Sequence, residues 1–329
     1  MSEHYRREAE RERMVVKLAS ASIEARERLI RQYQEMSEAA FAPETLRNYK
    51  QITRTAKEWF RENGYQSEPP IPPEAVASYV TALGGIIRPT TIETRLWAIA
   101  ELHRANFQPN PCRHRLVELS LKAVKRKYGA GVRQAVPLCK HEVLKAIRVL
   151  GNSRINMRDK AVLWVASDSW CRASEVAAFK VKDLIRQPNG SSLLFVARSK
   201  TDPYGEGEYA FLSEPGTEAV LRWTKIAGLN ENDPLLTKAQ PNGLKTHLHK
   251  TTISRIMKRA MGRRDISCHS TRVGGVHDAF ERGCDLSSIM IAGRWTSPEM
   301  PARYGRKILA SKSAAAFVAN EIIGEEEWS

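Results

Sequence analysis

The stretch RASEVAAFKVKDLIRQPNGSSLLFVARSKTDPYGEGEYAFL, residues 172–212, carries three strand-like segments in a chain that otherwise reads as helical. Val181 to Ile185 runs into a Pro188-Asn189-Gly190 turn. Leu193 to Arg198 and Glu208 to Leu212 flank the loop TDPYGEG, the pattern of a hairpin. The expected fold class is mainly α with a small antiparallel sheet.

Upstream of this stretch, helices are expected at about 140–150 and 158–170, the second buried because AVLWVAS is apolar on every side. Before them, YGAGVRQAVP (128–137) has two glycines, a proline and no apolar period, so it is the expected linker. Residues 36–127 read as an all-helical domain. Leu46, Tyr49, Ile52, Ala56, Trp59 and Phe60 recur at helical spacing over 43–61, and Ile92, Leu96, Ile99 and Leu102 do so after Pro89. Residues 1–35 read as a charged arm or solvated helix. Downstream, helices are expected at about 215–227, 248–261, 270–282, 285–292, 298–304 and 311–322. A mixed α/β domain therefore spans 138–310. It is followed by a C-terminal helix and acidic tail over 311–329.

The net charge of the 329-residue chain is +15. Residues 1–35 hold eight Lys/Arg and seven Glu, a net of +1, so +14 remains for the rest. A basic body of this kind points to a polyanion, nucleic acid before membrane. The five cysteines include no Cys-x-x-Cys pair, which argues against zinc and redox motifs. The start MSEHYRREAERERM has no apolar core for a signal peptide, and no run approaches the ~18 apolar residues of a membrane span. A cytoplasmic location and no membrane partner are expected.

The chemistry concentrates near the C-terminus. His269 and Arg272 in CHSTRVGG lie one helical turn apart and so share a face. Trp295 follows in AGRWTSPEM, and Tyr304 in PARYGRK beside Arg303, Arg306 and Lys307. Upstream, Arg172 and Glu175 stand in RASEV, and Lys200 sits at the hairpin tip. Each alone has a plainer reading. Tyr304 can be a packing tyrosine, Trp295 core, Lys200 a turn lysine and Glu175 a buried ion-pair partner. Tyr204 and Tyr209 are alternative nucleophiles, but both flank the hairpin, away from the Arg/His neighbourhood.

Taken in order, Arg-x-x-Glu, a hairpin Lys, His-x-x-Arg, Gly-x-Trp and a C-terminal Tyr resemble the tyrosine recombinase (phage integrase) family, in particular its Cre-like members. Matching runs include RASEVAAFKVKDL, HSTRVGGVHD, IMIAGRWT and RYGRK, with AFAPETLRNYK and TTIETRLWAIAELHR in the helical half. The likeness covers about residues 40–310. One departure is Cys268, where the family commonly has Gly.

The resemblance implies a core-binding (SAM-like) helical domain and a catalytic domain that close on DNA as a clamp. It implies Tyr304 as a nucleophile forming a 3′-phosphotyrosyl bond, and His269 as base or proton shuttle. Arg172 and Arg272 would clamp the phosphate, Lys200 would act as leaving-group acid, and Trp295 would donate to the phosphate and pack the nucleophile helix. Glu175 would orient His269 or Arg272. Neither a metal nor a nucleotide cofactor is implied, because the intermediate keeps the phosphodiester energy.

The resemblance also places Arg47, Asn48, Thr94 and Arg95 of the helical domain, and Lys250, Thr251, Ser254 and Arg255 of LHKTTISRIMKRA, on the DNA. A solvated basic face is the plainer reading of each. Lys125, Arg126 and Lys127 are expected to touch phosphates. The implied partners are double-stranded DNA with an inverted-repeat target and three further copies of the chain. The copies would exchange the C-terminal helix carrying Ala315, Phe317, Val318 and Ile322. Two other functions fit parts of the pattern. A type IB topoisomerase shares the chemistry but needs no docking helix, and a non-catalytic DNA-binding relative would not need the full polar set.

Overall fold

Prolines punctuate the first part of the chain, and three of its helices begin where one stands. In this computed structural model, residues 22–129, 131, 134–198, 205–239 and 245–325 are described. The chain divides into two compact units, one up to Arg133 and one from Gln134.

The first unit is all-helical: α1 Ile23–Ala40, α2 Pro43–Glu62, α3 Pro73–Leu83, α4 Pro89–Ala105 and α5 Arg115–Tyr128. Pro43, Pro73 and Pro89 open three of them, since a first-turn residue needs no N–H partner. Phe60, Ile71, Val76, Tyr79, Ile92, Ile99 and Val117 form the core. Helix α1 buries none of its residues and starts from a Ser22 cap whose hydroxyl accepts from Ala25 N at 3.3 Å. The boundary expected at residue 35 falls inside this continuous helix. The break comes at Phe41 and Ala42, both extended or nearly so ahead of Pro43.

The second unit is built around α7 (Arg154–Ser169), where Ala161 to Ala166 are all buried. Burying Val162, Leu163 and Val165 stabilises the fold by about 1.5–3 kcal/mol each. Helix α6 (Lys140–Val149) precedes it and α8 (Ala173–Ala178) follows. The sheet is antiparallel in the order β1 (Leu184–Arg186), β2 (Ser192–Val196), β3 (Glu208–Leu212). Leu194 pairs with Leu184 on one side and Ala210 on the other, which turns Leu194, Val196 and Leu212 into the core. Then come α9 (Glu214–Ala227), α10 (Lys250–Met261), α11 (Cys268–Glu281), α12 (Leu286–Gly293), α13 (Glu299–Ser311) and α14 (Ala314–Glu325). Among the described residues no helix is long and apolar enough to cross a membrane.

Two local expectations change, and one further short helix appears. Val181–Asp183 is a 3-10 turn rather than strand, because the Asp183 carboxylate accepts from Lys180 N at 2.7 Å, and β1 begins only at Leu184. RASEV forms the short α8, with Arg172 at its N-cap. The helix expected to end at Tyr304 runs on to Ser311. Pro301, Tyr304, Gly305 and Ile308 are its buried residues, an i, i+3, i+4, i+7 stripe that Tyr304 only half completes.

Gly274 and Gly275 let α11 sit against its neighbours. A β-carbon on Gly274 would lie 2.0 Å from the Leu138 carbonyl oxygen, and one on Gly275 2.2 Å from the Trp170 ring. Gly275→Ala gains roughly 1 kcal/mol of helix propensity, but the overlap with Trp170 costs about 1–3 kcal/mol. A net loss of stability is expected in thermal melts. A variant as stable as the parent would show that α11 has room there.

Candidate active site

Helix α11 begins at Cys268, so His269 and Arg272 project from its first two turns. Helix α13 crosses it and delivers Tyr304 from its buried stripe. The Tyr304 hydroxyl lies 3.0 Å from His269 Nε2, with the two rings edge to face. The Tyr304 backbone carbonyl accepts from Gln134 Nε2 at 3.1 Å and lies 3.0 Å from His277 Nε2. His277 stands on α11, so this contact fixes α13 to the helix that carries His269.

Arg272 is 1 % exposed and fixed from three sides. Its Nη1 donates to the Trp170 carbonyl at 2.7 Å, its Nη2 donates to the Gly293 carbonyl, and its guanidinium carbon lies 4.1 Å from the Trp295 ring centre. Trp295 also meets Tyr304 edge to face at 5.9 Å. Trp170 and Arg294 both adopt left-handed backbone, with φ of 50° and 53°. Such conformations are costly for side chains with a β-carbon and collect at functional sites. Here one supplies a carbonyl to Arg272 and the other directly follows Gly293, which supplies the second.

Glu175 is the third residue of α8 and closes on Arg172. Its Oε2 accepts from Arg172 N at 2.8 Å and its Oε1 from Arg172 Nη1 at 2.7 Å. Its Oε2 also accepts from Arg294 Nη2 at 3.0 Å. This corrects the expectation that Glu175 orients His269 or Arg272: its hydrogen bonds go to Arg172 and Arg294. Burial works to raise the Glu175 carboxyl. The hydrogen bonds from Arg172 and the charges of Arg294 and Arg172 outweigh it and hold the group below the ordinary carboxylate range.

The electrostatics set the proton inventory. The His269 ring is reached by solvent, yet protein crowds its other sides. That desolvation, with the charges of Arg272 and Arg172, lowers its pKa below the ordinary imidazole value. The ring is therefore neutral near pH 7, and its Nε2 can accept from the Tyr304 hydroxyl. Burial raises the Tyr304 phenol, and Arg272, Arg172 and Arg303 work against that rise. Burial and the nearby Arg172 and Arg294 push Arg272 down to about 10, where it stays a cation at neutral pH. Three guanidiniums and one buried carboxylate leave the site with excess positive charge, an arrangement that suits a bound anion.

Residues 138–308 match the phage integrase family. The chain belongs to that family. It is 26% identical over 303 residues to an integrase/recombinase xerD homolog of Selenomonas ruminantium, covering 87% of this chain and 88% of that protein. It is 25% identical over 298 residues to recombinase cre of Escherichia phage P1, covering 82% and 85%. A lambda integrase tetramer bound to a Holliday junction shares the fold, with a TM-score of 0.54 at 14% identity, covering 84% of this chain and 76% of that one. The protein is a tyrosine site-specific recombinase.

Within this recombinase, Arg172, Glu175, His269, Arg272, Trp295 and Tyr304 come together through the contacts above. Lys200, with Thr201, Asp202 and Tyr204, lies outside the described residues. Tyr209 is on β3, 57 % exposed and packed on Phe195, away from His269's hydrogen bond. Cys171 and Cys268 are both buried; desolvation pushes the Cys171 thiol up to about 11 and the Cys268 thiol further. They are packing groups, and Cys268 Sγ points to the Cys171 carbonyl at 3.7 Å.

The residues expected on DNA lie on helices of both units. In the first unit Arg47 and Asn48 are exposed on α2, Arg47 paired with Glu44 at 2.9 Å. Thr94 is exposed on α4, whereas Arg95 donates to the Tyr79 hydroxyl at 2.6 Å. Arg126 and Lys127 are exposed at the end of α5, and Lys125 pairs with Glu93 at 2.5 Å. In the second unit Lys250, Thr251, Ser254 and Arg255 line a shallow depression with Lys258 and Ala173. Ser254 Oγ also accepts from Cys268 N at 3.3 Å, so this face is tied to the start of the helix that carries His269.

Sequence reasoning missed Trp170, His277, Gln134 and Arg294. Only the odd placement of Arg between Gly293 and Trp295 hinted at the last. Removing Glu175 tests the cluster's energetics. Glu175→Ala leaves Arg172 and Arg294 facing each other without their carboxylate, which should cost about 3–5 kcal/mol. Urea unfolding should show this as a lowered midpoint, with Glu175→Gln less affected. Equal stability of Glu175→Ala would mean the guanidiniums are not held by that charge.

Proposed function

We propose that this recombinase cleaves and rejoins DNA at a specific site through a 3′-phosphotyrosyl intermediate. The observation that carries this reading is the Tyr304 hydroxyl placed 3.0 Å from a neutral His269, beside the buried cation Arg272. As the phenol oxygen attacks the scissile phosphorus, its proton passes to His269 Nε2. The new P–O bond to Tyr304 forms as the P–O bond to the 5′ oxygen breaks.

Arg172 and Arg272 hold the non-bridging oxygens, where charge builds in the five-coordinate transition state. The guanidinium fork suits two such oxygens at once. Losing one donor of this kind typically costs about 3–4 kcal/mol of barrier. Trp295 packs between Arg272 and Tyr304 and offers its indole N–H to the phosphate. Lys200, which lies between β2 and β3 in sequence, protonates the leaving 5′ oxygen. Rejoining runs the same steps backward with a 5′ hydroxyl from another strand, so neither ATP nor a metal is needed. Glu175 keeps Arg172 in place.

Two recombining sites require four active protomers. A tetramer on two inverted-repeat targets, passing through a Holliday junction, fits the neighbouring lambda integrase tetramer, described as bound to such a junction. Helix α14 leaves Phe317 62 % and Val318 51 % exposed, apolar groups available to a neighbouring copy in a cyclic exchange. In the first unit Arg47, Asn48, Thr94 and Arg95, and in the second Lys250, Thr251, Ser254 and Arg255, face base edges. Lys125, Arg126 and Lys127 hold phosphates, so binding weakens steeply with salt. The protein acts in the cytoplasm, on DNA of a bacterium, phage or plasmid.

The test uses DNA selected for binding from a random pool, with a nick placed so that cleavage is trapped. A denaturing gel should show a covalent protein–DNA adduct with the parent protein and none with Tyr304→Phe. An adduct that survives the substitution would overturn the assignment. Two-site DNA should then yield recombinant product; relaxation of supercoils without exchange would favour a topoisomerase.

A further inference from the structure

Arg294 is the least expected residue in the second unit. Its side chain is 2 % exposed, although it is charged, and its backbone is left-handed at φ 53° although it is not glycine. A solvated arginine preceding Trp295 would need neither feature. Both are expensive, and the contacts they permit are specific.

Those contacts link two parts of the site. Nη1 donates to the Ser169 carbonyl at 3.2 Å, and Nη2 donates to Glu175 Oε2 at 3.0 Å and to Cys171 Sγ at 3.2 Å. Glu175 in turn holds Arg172 through both its backbone N–H and its guanidinium. On its other side Arg294 Nε faces Glu208 Oε2 at 3.6 Å. Both atoms are buried, and neither has a hydrogen-bond partner. Glu208 is the first residue of β3, directly after the hairpin segment that contains Lys200 in sequence.

We propose that Arg294 is a positioning residue that couples the base of the β2–β3 hairpin to the Arg172 guanidinium. Charge alternates along the chain Arg172, Glu175, Arg294, Glu208. Shortening the gap between Arg294 Nε and Glu208 satisfies two orphaned polar atoms at once. That closure draws the start of β3 toward the loop after α12 while Glu175 stays on Arg172. The hairpin and the phosphate clamp are thereby set together.

This inference rests on the reading of Arg172 as a phosphate clamp, and the experiment separates the two. Single-turnover cleavage of the nicked DNA is measured for the parent, Arg294→Met, Arg294→Lys and Glu208→Gln, with DNA affinity and melting temperature recorded for each. Misplacing a clamp by about 1 Å costs ~100-fold in rate. Arg294→Met and Arg294→Lys should lose rate on that order while binding DNA as tightly as the parent. Glu208→Gln, whose side chain is 39 % exposed, should fold normally and lose rate in the same direction by a smaller factor.

A pH series gives a readout that packing alone would not move. Glu175 is faced by Arg172, Arg294 and Arg272, and by the thiols of Cys171 and Cys268. Without Arg294 its carboxylate protonates at higher pH, so Arg294→Met cleavage should fall off earlier on the acid side. Adding Glu175→Gln to Arg294→Met should remove that early acid limb, because the titrating carboxyl is gone. Parent-like cleavage in Glu208→Gln overturns the coupling even if Arg294→Met fails to fold, and so does a loss in Arg294→Met matched by lost affinity. If no adduct forms at Tyr304 at all, the reading beneath it falls instead.

Discussion

The Glu175 carboxylate is shared by Arg172 and Arg294, with Arg272 close enough to feel its charge. Guanidiniums are tolerated inside a protein only where each finds fixed partners. Here the partners are Glu175 and a set of backbone carbonyls: Trp170 and Gly293 for Arg272, Ser169 for Arg294. Those carbonyls belong to the ends of α7 and α12, and both ends pass through left-handed residues. The local strain and the buried charge are one arrangement. It leaves a cationic pocket built before any substrate arrives, and a preorganised field of this kind stabilises charge that develops during reaction.

The nucleophile depends on the same packing. Gly274 and Gly275 bring α11 against Leu138 and Trp170, which sets where its first turn points. Gly305 lets α13 approach Phe280, since a β-carbon there would lie 2.3 Å from that ring. His277 and Gln134 then hold the Tyr304 carbonyl. Tyr304 and His269 meet because two helices are locked at one crossing, and neither side chain has to search for the other.

Much of this was legible in the sequence. The three strand segments, the linker glycines and the apolar helical periods carry the fold class directly. The polar set was legible as residue types in order, because an Arg, a His and a Tyr in a basic body have few joint purposes. What was hidden depends on contacts between distant segments. Arg294 looks like a surface arginine until its left-handed turn buries it. Glu175 could be placed beside Arg172 by spacing, but nothing in the sequence says that Arg294 shares it. The length of α13 was misread because its stripe continues through Gly305 to Ile308 across a basic run that reads as a loop. Lys200, expected at the hairpin tip, lies outside the described residues.

The central claim is that a neutral His269 receives the Tyr304 proton inside a cationic pocket. The direct measurement is the single-turnover cleavage rate from about pH 5 to pH 8, for the parent and for His269→Gln. His269, faced by Arg272, Arg172 and Tyr304, has a lowered pKa. It therefore stays neutral through the ordinary imidazole value of about 6.5 and protonates only below it. The account predicts a flat rate across neutral pH and an acid limb below that value, absent from a slower His269→Gln. An acid limb at or above the ordinary imidazole value, or one that persists in His269→Gln, would contradict it.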